Sequence, residues 1–474
     1  MLINYISLLP EFMLILNVVV MGIVHLLRDS QTPKTFCTIN QWFIGITAIG
    51  CLIFYNISFS DVWYVNTTFT TFFKELMWIS FWWIGTFCGK WFLSKNYSSF
   101  KFYQYTNLII FGFCVALSCR HIGLLSLALL CVWGNGCFLL MMSEELTDGK
   151  KQVMRVLPNI LGGAIILGII SAVFYFRTGS LFYAEITAYY QKMPLQYMDY
   201  AGVCLMTAML LSLLGAAPFH FDRLQVIKDG ILPVSTFVAI IPPTAGLGII
   251  IMFFHEVFGM FSAEISVMMY WSGIFSVFLG AIGTGSVSNI RQIFACIGLF
   301  YTGVVLLLLS YLTQTEVQAG IIYFLIYLLS SLGMYSCLYG IRSHGEYLKD
   351  LEDLSGMYTV RPYISSALLI FNISLFGIPP FLGLLGNLSL VNNLLIQHNL
   401  WLILYIFIML VFLAYGLLRV IKIIYFNKKI RNFDRVDKGV YWSLLLNLGI
   451  MLMMVISPKY IMYDIEKIIY SFLG

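Results

Sequence analysis

The chain has 474 residues, 60% of them hydrophobic and only 10% charged, with a mean hydropathy of +0.89. Soluble globular chains carry about 25% charged residues, so this balance excludes a water-soluble enzyme or binding module. The net charge of +5 does not point to nucleic acid, because the placement of the basic residues is topological.

A helix of about 20 apolar residues crosses a bilayer. Fourteen such segments follow in chain order, near 8–27, 36–56, 71–94, 104–120, 122–142, 153–176, 199–217, 231–254, 265–286, 292–313, 316–341, 362–396, 400–426 and 439–457. No connection is long enough for a soluble domain. The expectation is an all-α polytopic membrane protein, a single transmembrane domain over 1–474. The first segment carries Pro10 and Glu11 behind no basic flank, so it reads as a retained helix and not a signal peptide. The ten cysteines fall mostly within or at the ends of the segments, with no C-x-x-C pair. They read as small buried hydrophobes, with neither disulfide nor metal spacing.

With the N-terminus outside, the connections after odd-numbered segments lie inside and hold 21 of the 27 basic residues, against 6 outside. That split obeys the positive-inside rule. A miscounted segment would invert every later loop, so it also supports fourteen segments with both termini on the outer side.

Segment 7 ends in "SLLGAAPFHF" (212–221) and segment 12 contains "SLFGIPPFLGLLGN" (374–387). The two agree at five of eight positions, Ser212/Ser374, Leu213/Leu375, Gly215/Gly377, Pro218/Pro380 and Phe219/Phe381. Proline removes a backbone donor and clashes with the preceding turn, and bare backbone is costly in lipid. Breaks are therefore expected at Pro218 and at Gly377, Pro379 and Pro380. Either motif alone reads first as a simple kink, since Pro and Gly are common in transmembrane helices. The segments run in opposite directions five apart, as two inverted five-helix repeats over about 104–254 and 265–426 require, with segments 1–3 at 8–94 and segment 14 at 439–457 standing outside them. Such paired interruptions mark a transport pathway.

These residues resemble a known family, the antiporter-like membrane subunits of proton-pumping NADH:quinone oxidoreductase (complex I), and within it the subunit N branch, subunit 2 in mitochondria. The likeness is carried by "LLPEFMLIL" (8–16), "YFRTGSL" (175–181), "PFHFDRLQVIKDG" (218–230) and "YLKDLEDLSGMYTVRP" (347–362), together with "SLFGIPPFLGLLG" (374–386). The double proline favours subunit N over its larger relatives, and about 17 residues after segment 14 leave no room for a long lateral helix. The resemblance implies a divergent membrane-arm subunit with no catalysis of its own, surrounded by lipid and by other membrane and peripheral subunits. NADH, FMN, iron–sulfur clusters and quinone are then expected in those partners, since the chain has no dinucleotide fingerprint, P-loop or cysteine cluster. The membrane would be bacterial cytoplasmic or mitochondrial inner.

In that family proton transfer is attributed to a glutamate in helix 5 and lysines in helices 7, 8 and 12. Matched residue by residue, those positions here are Gly136, Leu213, Pro243 and Asn387. None of these side chains binds a proton at physiological pH. Tyr301 stands where a histidine is often found in helix 10, and Arg155 retains a cation near a further lysine position. Remaining proton-path candidates are His220, two residues past Pro218, together with Glu11 and Arg155. For His220 a buried structural histidine is the alternative reading. Glu11, Lys74, Glu75 and Lys90 lie near segment ends, where long side chains reach the interface. Three functions stay open: a complex I subunit with a degenerate proton channel, a cation/proton antiporter subunit of the same fold, and a purely structural scaffold.

Overall fold

The computed structural model describes residues 8–27, 33–53, 55, 58–95, 97, 99–142, 149–257, 259–429 and 432–473. Eighteen α-helices occupy them: α1 Leu9–Leu27, α2 Pro33–Ile53, α3 Thr68–Lys95, α4 Ser99–Ser118, α5 Ile122–Met142, α6 Gly149–Thr178, α7 Tyr183–Tyr190, α8 Tyr197–Leu214, α9 His220–Asp229, α10 Leu232–Glu256, α11 Ser262–Ser286, α12 Ile290–Leu309, α13 Gln314–Gly340, α14 Pro362–Phe376, α15 Gly383–Ile396, α16 Leu400–Phe426, α17 Lys438–Ile456 and α18 Pro458–Leu473. Two short hairpins, β1–β2 (Phe59–Ser60 with Val65–Asn66) and β3–β4 (Arg342–Ser343 with Glu346–Tyr347), pair antiparallel in connections.

Among the described residues, twelve helices are long and apolar enough to cross a membrane. Two of the fourteen expected segments fall outside that set for physical reasons. The helix α3 carries Lys74, Glu75, Lys90 and Lys95 along its length, and segment 12 is split into α14 and α15. Segment 8 behaves differently: Pro242 and Pro243 lie inside the continuous α10.

The chain divides into two compact units, Met1–Leu214 with Ile241–Met268 and Ser471–Gly474, and Gly215–Ile240 with Met269–Tyr470. In the first, α4 lies against α1, α2 and α5, and α6 lies against α5 and α8. In the second, α13 is the hub, touching α12, α14, α15 and α17. The spans of α12 and α13 are each 94% buried, whereas α16 and α17 are 28% buried and turn large apolar side chains outward. In lipid such burial gains little hydrophobic energy, so close van der Waals approach must hold the helices together. The pair α11 and α12 achieves it at Gly280, where a Cβ would run into the backbone at Phe300.

The C-terminal α18 has no counterpart in the segment count. Its Ile465, Ile468 and Ile469 are buried while Tyr460, Tyr463 and Tyr470 are exposed. A 16-residue helix carrying Lys459, Asp464, Glu466 and Lys467 escapes any hydropathy reading, because only one stripe of it is apolar.

Candidate functional site

The expected breaks are present. The turn at 215–219 separates α8 from α9, and the turn at 377–382 separates α14 from α15. Each opens on a glycine in the left-handed region, Gly215 at φ 63° and Gly377 at φ 76°, three residues ahead of a proline in a cis bond, Pro218 and Pro380. Only glycine adopts such a φ at no steric cost, which accounts for the shared Gly in the two motifs. Pro379 supplies the residue on the other side of the second cis bond.

A helix broken at membrane depth must satisfy its freed backbone groups from neighbours. At the first break two serines of α11 do so. Ser276 Oγ accepts from Ala217 N at 2.8 Å, and Ser272 Oγ donates to Ala217 O at 2.6 Å. At the second break Asn387 Nδ2 donates to Phe376 O at 3.1 Å, and the Tyr301 hydroxyl donates to Leu375 O. Both carbonyls belong to the last turn of α14, where helix acceptors have no partner of their own. Asn387 is thus a backbone clamp folded over Gly377, and a Cβ on that glycine would collide with the carboxamide.

Tyr301 heads a fully buried aromatic column of the second unit. Its ring stacks on Tyr323 and Tyr327 of α13, with centroids 5.0 and 5.4 Å away. Two turns further along α13 the Tyr335 hydroxyl has no hydrogen-bond partner among the described residues.

His220 begins α9, directly after the first break, and is 4% exposed. Its ring lies 4.0 Å from that of Phe221, and its Nδ1 has no partner among the described residues. Arg223, one turn later, differs from its sequence reading. It was expected among the loop charges of the inner face, yet its side chain folds back to Gly215, and its Nη2 donates to Ala239 O at 2.9 Å. The Tyr327 hydroxyl hydrogen-bonds the same guanidinium. Arg291 makes a parallel contact, donating through Nη1 to Gly230 O at 2.7 Å from the first turn of α12.

The other substituted positions are unlike one another. In the first unit Leu213 is buried and packs on the backbone at Gly246. Pro243 lies inside α10. A Cβ at Gly136 would meet nothing within 4 Å, so there is room for the side chain that the sequence lacks there. Arg155 lies on α6, and its side chain is outside the described residues.

Glu11 is held in a way that its place near a segment end does not suggest. Its Oε1 accepts from Lys74 Nζ at 2.5 Å and from the Tyr64 hydroxyl at 2.7 Å. Lys74, 1% exposed, also donates to Asn66 Oδ1 at 2.5 Å, and Asn66 accepts from Ser118 Oγ at 2.7 Å. Long side chains near helix ends reach for water only when no partner is closer. Here the β1–β2 connection brings a tyrosine and an asparagine over both charges, and the pair stays inside. Glu75 is buried as well.

Two further polar groups escaped the sequence reading. Asn40 Oδ1 accepts from Asn17 Nδ2 at 3.0 Å and from Asn107 Nδ2 at 2.8 Å, knotting α1, α2 and α4. Buried Asp199 accepts from Arg177 Nε and Nη2 at 2.9 and 3.0 Å and from the Tyr190 hydroxyl at 2.8 Å. Single asparagines and aspartates in apolar segments were the available signal, since such residues are costly at that depth unless paired.

A family model described as NADH:quinone oxidoreductase/Mrp antiporter, transmembrane, matches residues 137–414. NADH-quinone oxidoreductase subunit N of Pelagibacter ubique is 28% identical over 257 residues, 54% of this chain and 54% of that protein. The Jannaschia sp. subunit N is 26% identical over 275 residues, 58% of this chain and 56% of the relative. The chain thus spans about half the length of the curated relatives it matches. Among solved structures, a chain of respiratory complex I from Thermus thermophilus superposes with a TM-score of 0.77 at 18% identity, covering 96% of this chain and 98% of that one. A chain of the Mrp complex from Dietzia sp. gives 0.85 at 14% identity, with 100% of each covered. At such identities the superpositions speak for the fold alone. The family match covers more than half of the sequence: the chain belongs to the NADH:quinone oxidoreductase/Mrp antiporter transmembrane family.

Proposed function

We propose that this chain is a membrane-arm subunit of a respiratory NADH:quinone oxidoreductase, similar to subunit N, in which the proton relay is degenerate and the role largely structural. The carrying observation is the chemistry of the breaks. The backbone of a transport pathway is kept at Gly215–Phe219 and Gly377–Leu382, while Leu213, Pro243 and Asn387 stand where the family resemblance puts lysines and Gly136 where it puts a glutamate. Asn387 is engaged by Phe376 O, which suits a structural clamp better than a relay. Glu11 is neutralised by Lys74, leaving His220 as the one imidazole at a break. NADH oxidation, FMN, iron–sulfur clusters and quinone reduction are assigned to partner subunits. The two inverted repeats and the outward-facing termini belong to the same proposal, the latter resting on the 21-to-6 division of basic residues.

The family description, which names the Mrp antiporter beside the oxidoreductase, leaves room for a second reading, a cation/proton antiporter subunit. Ion exchange would be that protein's whole task, and it would need titratable groups at the breaks, where the motifs 212–221 and 374–387 themselves supply His220 alone. Extraction in mild detergent separates the two. The chain should co-migrate with NADH-oxidising activity on native gels, and mass spectrometry of the band should find quinone-reducing partners. Co-migration with other antiporter subunits and no NADH oxidation overturns the first reading.

A further inference from the structure

The side chain that fills the first break is Arg223, which the family resemblance does not single out. Two features of the sequence meet there. Proline has no N–H, so Pro243 cannot donate to the carbonyl four residues earlier in α10, that of Ala239. An acceptor left bare at membrane depth is costly. Arg223 Nη2 donates to that very carbonyl at 2.9 Å. The side chain reaches it by folding over Gly215, where a Cβ would strike Arg223 Cδ. The Tyr327 hydroxyl of α13 accepts from the guanidinium, and Tyr335 stands two turns further along that helix without a partner among the described residues. The proline that replaces a titratable residue thus makes the socket that an arginine occupies.

A guanidinium stays charged at every physiological pH and cannot accept a proton. A fixed cation at a helix break repels a proton without being able to relay it. We propose that Arg223 is the residue that closes the break of segment 7 to protons, a permanent positive plug held by Ala239 O and Tyr327. The proposal rests on the reading of a degenerate relay given above. It adds that the passage is actively barred and not merely short of carriers.

The test is passive proton flux into membrane vesicles from cells carrying each variant at matched chain levels. The flux is driven by a potassium diffusion potential and read with an internal pH dye. No NADH or partner activity enters the measurement, so its outcome is independent of whether the chain sits in an oxidoreductase. Arg223→Met keeps most of the length and removes the charge; its flux should rise by about tenfold or more over wild type. Arg223→Lys keeps the charge and should stay at the wild-type level near neutral pH. Unlike a guanidinium, its amine can lose a proton on alkalinisation, so its flux should climb between about pH 8 and about pH 10.5 while wild type stays flat. Flux in Arg223→Met equal to wild type overturns the proposal. If Arg223→Met does not accumulate, the lysine variant decides: a pH profile as flat as wild type overturns it.

Discussion

At Gly215 and at Gly377 the chain makes the same left-handed turn three residues ahead of a cis-bonded proline, yet the side chains folded over the two glycines differ in kind. Over Gly215 lies the guanidinium of Arg223, over Gly377 the carboxamide of Asn387. Each donates to a backbone carbonyl that has no helical donor of its own, Ala239 O inside the continuous α10, where Pro243 lacks an N–H, and Phe376 O at the end of α14. The difference teaches that a carbonyl without a helical donor in this fold is satisfied equally by a charged side chain and by a neutral one.

The severest way to break the comparison is to close the second turn from the other side. Gly383, the first residue of α15, leaves no room for a Cβ, which would run into the Ser374 carbonyl. Gly383→Ala should cost about 3 kcal/mol, the upper range for overpacking, and lower the amount of chain in membranes. Accumulation at the wild-type level would mean that α14 and α15 are packed more loosely than their glycines require.

Next come the glycines of the turns. Gly215→Ala and Gly377→Ala each place a side chain in left-handed backbone, at about 1–2 kcal/mol, and each Cβ pushes a clamp off its carbonyl. Thermal melting of the purified assembly should show both losses, with Gly215→Ala the larger because the displaced group there is charged. Equal shifts in melting temperature would argue that the charge of Arg223 adds nothing to the hold.

Asn387→Ala sharpens the contrast between clamp and relay. It removes one hydrogen bond, about 1 kcal/mol, and should leave quinone reduction and proton stoichiometry nearly unchanged in the assembled complex. A marked fall in stoichiometry would show that the carboxamide takes part in proton passage. The smallest effect is expected from His220→Ala, since nothing among the described residues engages its Nδ1. Pumping should hold within measurement error. A large loss with assembly intact would expose a rerouted path through the first break.

Much of this was legible from residue types and spacing. The breaks followed from Gly and Pro repeated in two motifs, because a proline's missing donor and a glycine's freedom are local properties that no neighbour can alter. The polar partners were not legible. Arg223 looks like an inner-loop charge because it follows a break by few residues, and nothing in its neighbourhood names Ala239 O and the Tyr327 hydroxyl as its two acceptors. Glu11 and Lys74 looked like interfacial residues for the same reason. Their pairing depends on a connection that carries Tyr64 and Asn66 over them.

The amino-acid sequence by itself determined that the chain is helical and lives in a bilayer, since hydropathy is a sum over residues and spans need only length. It also determined where two helices break and that four expected relay positions cannot bind a proton. Only the tertiary structure decided which side chains stand in for the missing backbone partners: as donors Arg223 for Pro243, Asn387 and Tyr301 at the end of α14 and Ser272 at Ala217 O, and as acceptor Ser276 at Ala217 N. Several of those partners lie more than 50 residues apart in the chain. A hydrogen bond is satisfied by whatever the fold brings within about 3 Å, and spacing along the sequence carries no record of that.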